Sequence, residues 1–165
     1  MKKIIEISRN KNLRLENVLI KEFIDFSSLI EENHCGEISL NLEVEKMENE
    51  IKVRGANQVG PLIQYSEMKK GQEDPQIKIK LMLQSDCFIT NIKHPYEMQS
   101  VIQVKNCMYT RFIGSEEKLY LAYQKIEIDA YENDIKLKGS SYTIFLDSKE
   151  DGMIVADIFM EKYND

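Results

Sequence analysis

Read as apolar and polar positions, the chain moves between two rhythms. The runs NVLIKEFIDF from Asn17 and VIQVKNCMYTRFIG from Val101 are dense in β-branched and aromatic residues, a composition that suits strands. Each is followed by apolar residues at helical spacing: Leu40, Val44, Met47 and Ile51 in the first case, and Leu119, Ala122, Tyr123, Ile126 and Ala130 in the second. Ser115 ahead of Glu116 and Glu117 suits an N-terminal cap with acids in the first turn, and Gly139 suits a stop. Helices are therefore expected near Gly36 to Val53 and Ser115 to Lys136. Ile38, Leu40, Leu42 and Val44 also alternate strictly, which is a strand pattern, and the match between the two halves of the chain decides for helix.

That match is carried by MENEIKVRG from Met47 and YENDIKLKG from Tyr131, which agree at Glu, Asn, Ile, Lys and Gly. After the first comes GPLIQYSEMKKGQEDPQIKIKLML: a Gly-Pro turn, a short strand, a polar Gly-containing turn and a second strand. After the second comes SSYTIFLDSKEDGMIVADIFM, the same order with shorter loops. The expected fold is α+β: two βαββ pseudo-repeats, about 15–84 and 100–163, joined by the segment from Gln84 to Gln99. Paired edge to edge, they would form one continuous antiparallel sheet with two main helices on one face, related by a pseudo-twofold axis.

Composition narrows the function classes. A chain of 165 residues is one ordinary domain, large enough for a hydrophobic core. Lys and Arg total 22 against 28 Asp and Glu, a net charge of −6, and no basic stretch is long enough to follow a phosphate backbone. Direct nucleic-acid binding is not expected. Glu6 interrupts the apolar stretch of the amino terminus too early for a signal peptide, and no run of about 18 apolar residues marks a membrane helix. A cytoplasmic protein without membrane association is expected. Cys35, Cys87 and Cys107 are widely spaced, with His34 and His94 the only histidines; without a close ligand pair neither a metal site nor a cofactor is expected.

NCMYTRFIGSEEKLYLAYQKI resembles the segment that enters the second helix of GyrI-like proteins, and GPLIQYSEM resembles their Gly-Pro, apolar pair and Tyr strand. GyrI-like proteins share their fold with the effector-binding domains of MerR-type and AraC-type multidrug regulators, and the resemblance runs from about Leu15 to Tyr163. It implies a cleft between the two repeats, lined by aromatic side chains and often carrying a glutamate, that takes apolar and frequently cationic small molecules. Rings stack on a flat ligand while a partly buried carboxylate answers its charge. Two departures stand out. Where relatives tend to carry Glu-x-Tyr after the second helix, YTIFLD places Thr143 and Phe145, whereas Tyr65 and Glu67 in the first repeat project to one strand face. The fourteen residues before Leu15 are too few for a helix-turn-helix, so a stand-alone domain is expected.

Three functions remain in play. The first is a non-catalytic small-molecule-binding domain with Tyr65, Glu67, Tyr109, Arg111, Tyr123 and Tyr142 as wall residues, the first repeat supplying charge and the second mainly apolar and aromatic wall. The second is an accessory or inhibitor module for a cytosolic protein partner, using the acidic residues Glu31, Glu32, Glu37, Glu48 and Glu50. The third, implied by the resemblance to GyrI-like proteins, some of which are hydrolases of strained electrophiles, has Tyr65 and Glu67 positioning and deprotonating water, against which Thr143 counts. No catalytic residue is assigned, and non-enzymatic binding is the favoured reading.

Overall fold

The computed structural model describes residues 6–24, 36–68 and 76–163. In chain order these form β1 (Ile7–Ile24), α1 (Gly36–Val53), β2 (Gln58–Met68), β3 (Ile77–Ser85), β4 (Tyr96–Ser115), a 3-10 turn (Glu116–Lys118), α2 (Tyr120–Glu132), β5 (Leu137–Ser148) and β6 (Met153–Lys162). The protein is α+β and mostly antiparallel sheet with two helices. It divides into two compact units: a first, Leu15–Ile102, and a second built from Met1–Arg14 with Gln103–Asp165. The division falls inside the long strands β1 and β4.

In the first unit β3 is the central strand, antiparallel to β1 on one side and to β2 on the other. Leu19 and Leu81 on β1 and β3 meet Met47 and Ile51 of α1, all of them buried, with Leu40 and Val44 packed alongside. These helix residues are the ones whose spacing called for a helix, and burying each contributes about 1.5–3 kcal/mol relative to exposure. The strand alternative for 38–44 is thus overridden by a helix whose apolar stripe has a sheet to cover.

The second unit is arranged alike, with β6 central between β4 and β5. Ala122, Ile126 and Ala130 of α2 pack on Met108, Phe112, Ile154, Ala156, Ile158 and Met160. Small alanines let this helix approach its sheet closely. The start of α2 differs from expectation: Ser115 precedes the 3-10 turn and its side chain makes no cap hydrogen bond.

Two expectations about punctuation are corrected. Gly139 does not stop α2, which ends at Glu132; it lies inside β5 at φ +90°. Gly60-Pro61 is not a turn but part of β2, where the pairing with β3 shifts between Val59 and Ile63. Both glycines sit at irregularities of their strands, where the positive φ that glycine tolerates lets the chain bulge without a break. The polar turn expected between β2 and β3 lies outside the described residues.

The paired nonapeptides also occupy different local structures. MENEIKVRG runs down α1 to the turn at Gly55, while YENDIKLKG leaves α2 after Glu132 and ends within β5. The helix ends themselves correspond otherwise. The Ala56 N–H donates to the Ile51 carbonyl and Ile135 to Ala130, and the Gly55 N–H to Lys52 and Asp134 to Tyr131. Gly55 and Asp134 are both left-handed, at φ +81° and +54°. By this geometry Gly55 matches Asp134, and Gly60 matches Gly139.

Candidate functional site

Strand pairing decides which side chains share a sheet face, because directly paired residues point the same way. In the first unit the face turned away from α1 carries Glu22 of β1, Lys78 and Lys80 of β3, and Ile63, Tyr65 and Glu67 of β2. Tyr65 pairs with Lys80, and Glu67 with Lys78. The Tyr65 hydroxyl donates to Glu67 Oε2 at 3.2 Å, and the Lys80 ammonium lies 5.5 Å from the centre of the Tyr65 ring. Beside them Lys78 pairs with Glu22 at 3.1 Å; the Glu22 hydrogen bond and charge, with Glu67 adding to them, hold the Lys78 ammonium above its ordinary pKa. Ile63 and Met82, the next pair along this face, are buried.

In the second unit the face turned away from α2 carries Tyr109 and Arg111 of β4, Asp157 and Phe159 of β6, and Tyr142 of β5. Asp157 is its centre and is nearly buried, at 9% exposure. Arg111 grips it with two bonds, Nε to Oδ1 at 2.8 Å and Nη2 to Oδ2 at 3.0 Å, and the Tyr109 hydroxyl donates to Oδ1 at 2.8 Å. The Tyr109 and Phe159 rings lie 4.9 Å apart at a 46° tilt, and the Lys11 ammonium is 5.3 Å from the Tyr109 ring centre. Burial first, then the hydrogen bond and charge of Asp157, push the Tyr109 hydroxyl above the ordinary tyrosine pKa. The same carboxylate raises Arg111, which remains cationic at any accessible pH.

The structure thus brings Tyr65 to Glu67, and Tyr109 to Arg111 through Asp157. Tyr142 is buried and pairs with Phe159 on the Tyr109 face. Within the second unit Tyr123 serves the α2 side of the sheet: it packs against the core there, with its hydroxyl on the Thr143 hydroxyl, and burial raises its pKa. Two surface depressions of the second unit, about 310 Å³ beside Lys105, Lys138 and Lys162 and about 500 Å³ beside Leu121 and Ile128, are lined by none of the six expected wall residues.

Sequence reasoning missed Asp157, Lys80 and Lys11. Asp157 had a signal: it is the single charge in the apolar run MIVADIFM, and a charge buried in a strand demands partners. It adds an internally paired carboxylate to the second unit's face that carries Tyr109, Arg111 and Tyr142. Of the acidic residues suggested for a protein partner, Glu31 and Glu32 and the side chain of Glu37 lie outside the described residues, and Glu50 is paired with Arg54 at 3.0 Å. His34 and Cys35 are likewise outside them. Among the described residues no cluster of His, Cys, Asp and Glu suits a metal ion, and no helix is long and apolar enough to cross a membrane.

No family model and no curated protein matches the sequence. Solved structures do. The C-terminal domain of EcmrR superposes with a TM-score of 0.65 at 18% identity, over 99% of this chain and all of that one. EcmrR in its complex with DNA superposes at 0.66 and 18% identity over 98% of this chain, which spans 58% of the length of that regulator. SAV2435 bound to tetraphenylphosphonium superposes at 0.55 and 8% identity over 95% of both chains. These neighbours include an effector-binding domain and a GyrI-like protein, so the fold implied by the sequence resemblance is the fold observed.

Proposed function

We propose that this chain is a non-catalytic small-molecule-binding domain whose ligands are apolar and cationic, and that Tyr65 and Glu67 supply its aromatic and anionic contacts. The observation that carries the reading is the joint placement of a tyrosine ring and a carboxylate on one strand face, beside the buried Ile63 and Met82. A ring face attracts a cation, and a carboxylate answers its charge. The likeness in fold to a tetraphenylphosphonium-bound protein supports the choice of ligand class. We further infer that the two units are copies of one βαββ element, a reading supported by the corresponding helix ends and strand bulges.

The test is calorimetric titration with tetraphenylphosphonium. The parent chain binds; Glu67→Gln weakens binding by about ten- to a hundredfold, the value of a charge-assisted contact of about 1.5–3 kcal/mol. Thr143→Ala, whose parent hydroxyl is engaged with Tyr123, changes it less than about twofold. Undiminished binding by Glu67→Gln refutes the assignment of the site.

A further inference from the structure

The ring face of Tyr65 is not vacant: Lys80 of the paired strand lies over it. Other lysines of the first unit are fixed by carboxylates, Lys21 by Glu43 and Lys78 by Glu22. Lys80, although directly opposite Glu22 in the β1–β3 register, makes no ion pair among the described residues, and Glu22 goes to Lys78 instead. Its ammonium therefore has the ring as its partner. A half-exposed cation–π contact of this kind is weak, and it is made by a strongly hydrated ammonium that water welcomes back.

We propose that Lys80 is a specificity-determining residue: its ammonium caps the Tyr65 ring in the unliganded protein, and a cationic ligand binds by displacing it. This rests on the small-molecule reading above and adds a selection rule to it. Binding exchanges one cation for another on the same ring, so the net gain depends on how weakly the incoming cation is hydrated. A quaternary ammonium or phosphonium, whose charge is spread and poorly hydrated, gains from the exchange. A primary amine repeats what Lys80 already does and gains little. The hydrogen bond from the Tyr65 hydroxyl to Glu67 polarises the ring toward the electron-rich side, which favours whichever cation occupies it. In the second unit Lys11 stands over Tyr109 in the same relation, with that hydroxyl on Asp157.

The experiment compares the parent chain with Lys80→Met and Lys80→Arg, using tetraphenylphosphonium and neutral triphenylphosphine oxide as probes in calorimetric titrations. Removing the cap tightens tetraphenylphosphonium by about three- to tenfold in Lys80→Met, while the stronger ring partner arginine weakens it, and the neutral probe shifts less than about twofold in either. Without ligand, the Lys80 ε-methylene resonances lie upfield by ring current and lose that shift in Tyr65→Leu. Equal changes for both probes, or the absence of the ring-current shift, overturn the role of Lys80 and leave the binding reading standing. If neither probe binds parent or variants, the binding reading fails and takes this proposal with it.

Discussion

The central strands of the two units carry opposite charges at the same kind of position. In the first unit Lys80 of β3 is paired with Glu22 on one side and Tyr65 on the other; in the second Asp157 of β6 is paired with Arg111 and Ile144. Asp157 receives three hydrogen bonds, two of them in the planar fork that guanidinium offers a carboxylate. Glu67, which shares the first unit's face with Glu22, accepts one longer bond from Tyr65 and has acceptor capacity to spare. A carboxylate gripped this way is part of the scaffold, whereas one held loosely beside a ring is fit to meet a ligand. The difference teaches that carboxylates on like faces of two similar units can differ in how many internal partners hold them.

The sharpest way to break this comparison is to remove each carboxylate and follow urea denaturation. Asp157→Ala leaves the Tyr109 hydroxyl and the Arg111 guanidinium without their acceptor. The expected loss is about 1–3 kcal/mol, held to that range because Arg111 is 52% exposed and water replaces part of the pair. Glu67→Gln is expected to stay within about 0.5 kcal/mol of the parent. A reversal of this order would make Glu67 the structural group.

Thr143→Val comes next. It removes the partner of the half-buried Tyr123 hydroxyl while keeping the volume of the buried Thr143, at an expected cost of about 1 kcal/mol.

A smaller effect appears in alkaline solution. The folded pKa of Tyr109 is raised, so its contribution to stability is complete below the ordinary tyrosine value of about 10 and is lost as pH climbs through the raised value. Subtracting the spectrophotometric titration of Tyr109→Phe from that of the parent isolates this transition, which is expected above pH 10.

The smallest effect is on reactivity rather than stability. Cys107 is buried and its thiol is pushed up to about 11, chiefly by desolvation, while Cys87 is exposed. Of these two, only Cys87 is expected to take up iodoacetamide at pH 8 in the native protein, as read by peptide mass mapping.

The sequence by itself determined the element types and much of their order. Apolar residues at helical spacing named Met47, Ile51, Ala122, Ile126 and Ala130 as inward positions, and all five are buried. Periodicity does this because a helix or strand has to turn its apolar residues to one side whatever it packs against. The same local logic placed Tyr65 and Glu67 on one face, two residues apart on a strand, where their side chains meet. Tertiary structure decided what local pattern cannot hold. The register of β3 against β2 set Lys80 over Tyr65, and that of β4 against β6 set Arg111 on Asp157, through residues far apart in the chain. It also decided that Gly139 bulges a strand instead of ending a helix, since α2 ends at Glu132 and the chain turns left-handed at Asp134, before the first available glycine. Pairing register fixes which side chains become neighbours, and it follows from the packing of whole strands, so the partners of each charge became known only when the sheets were assembled.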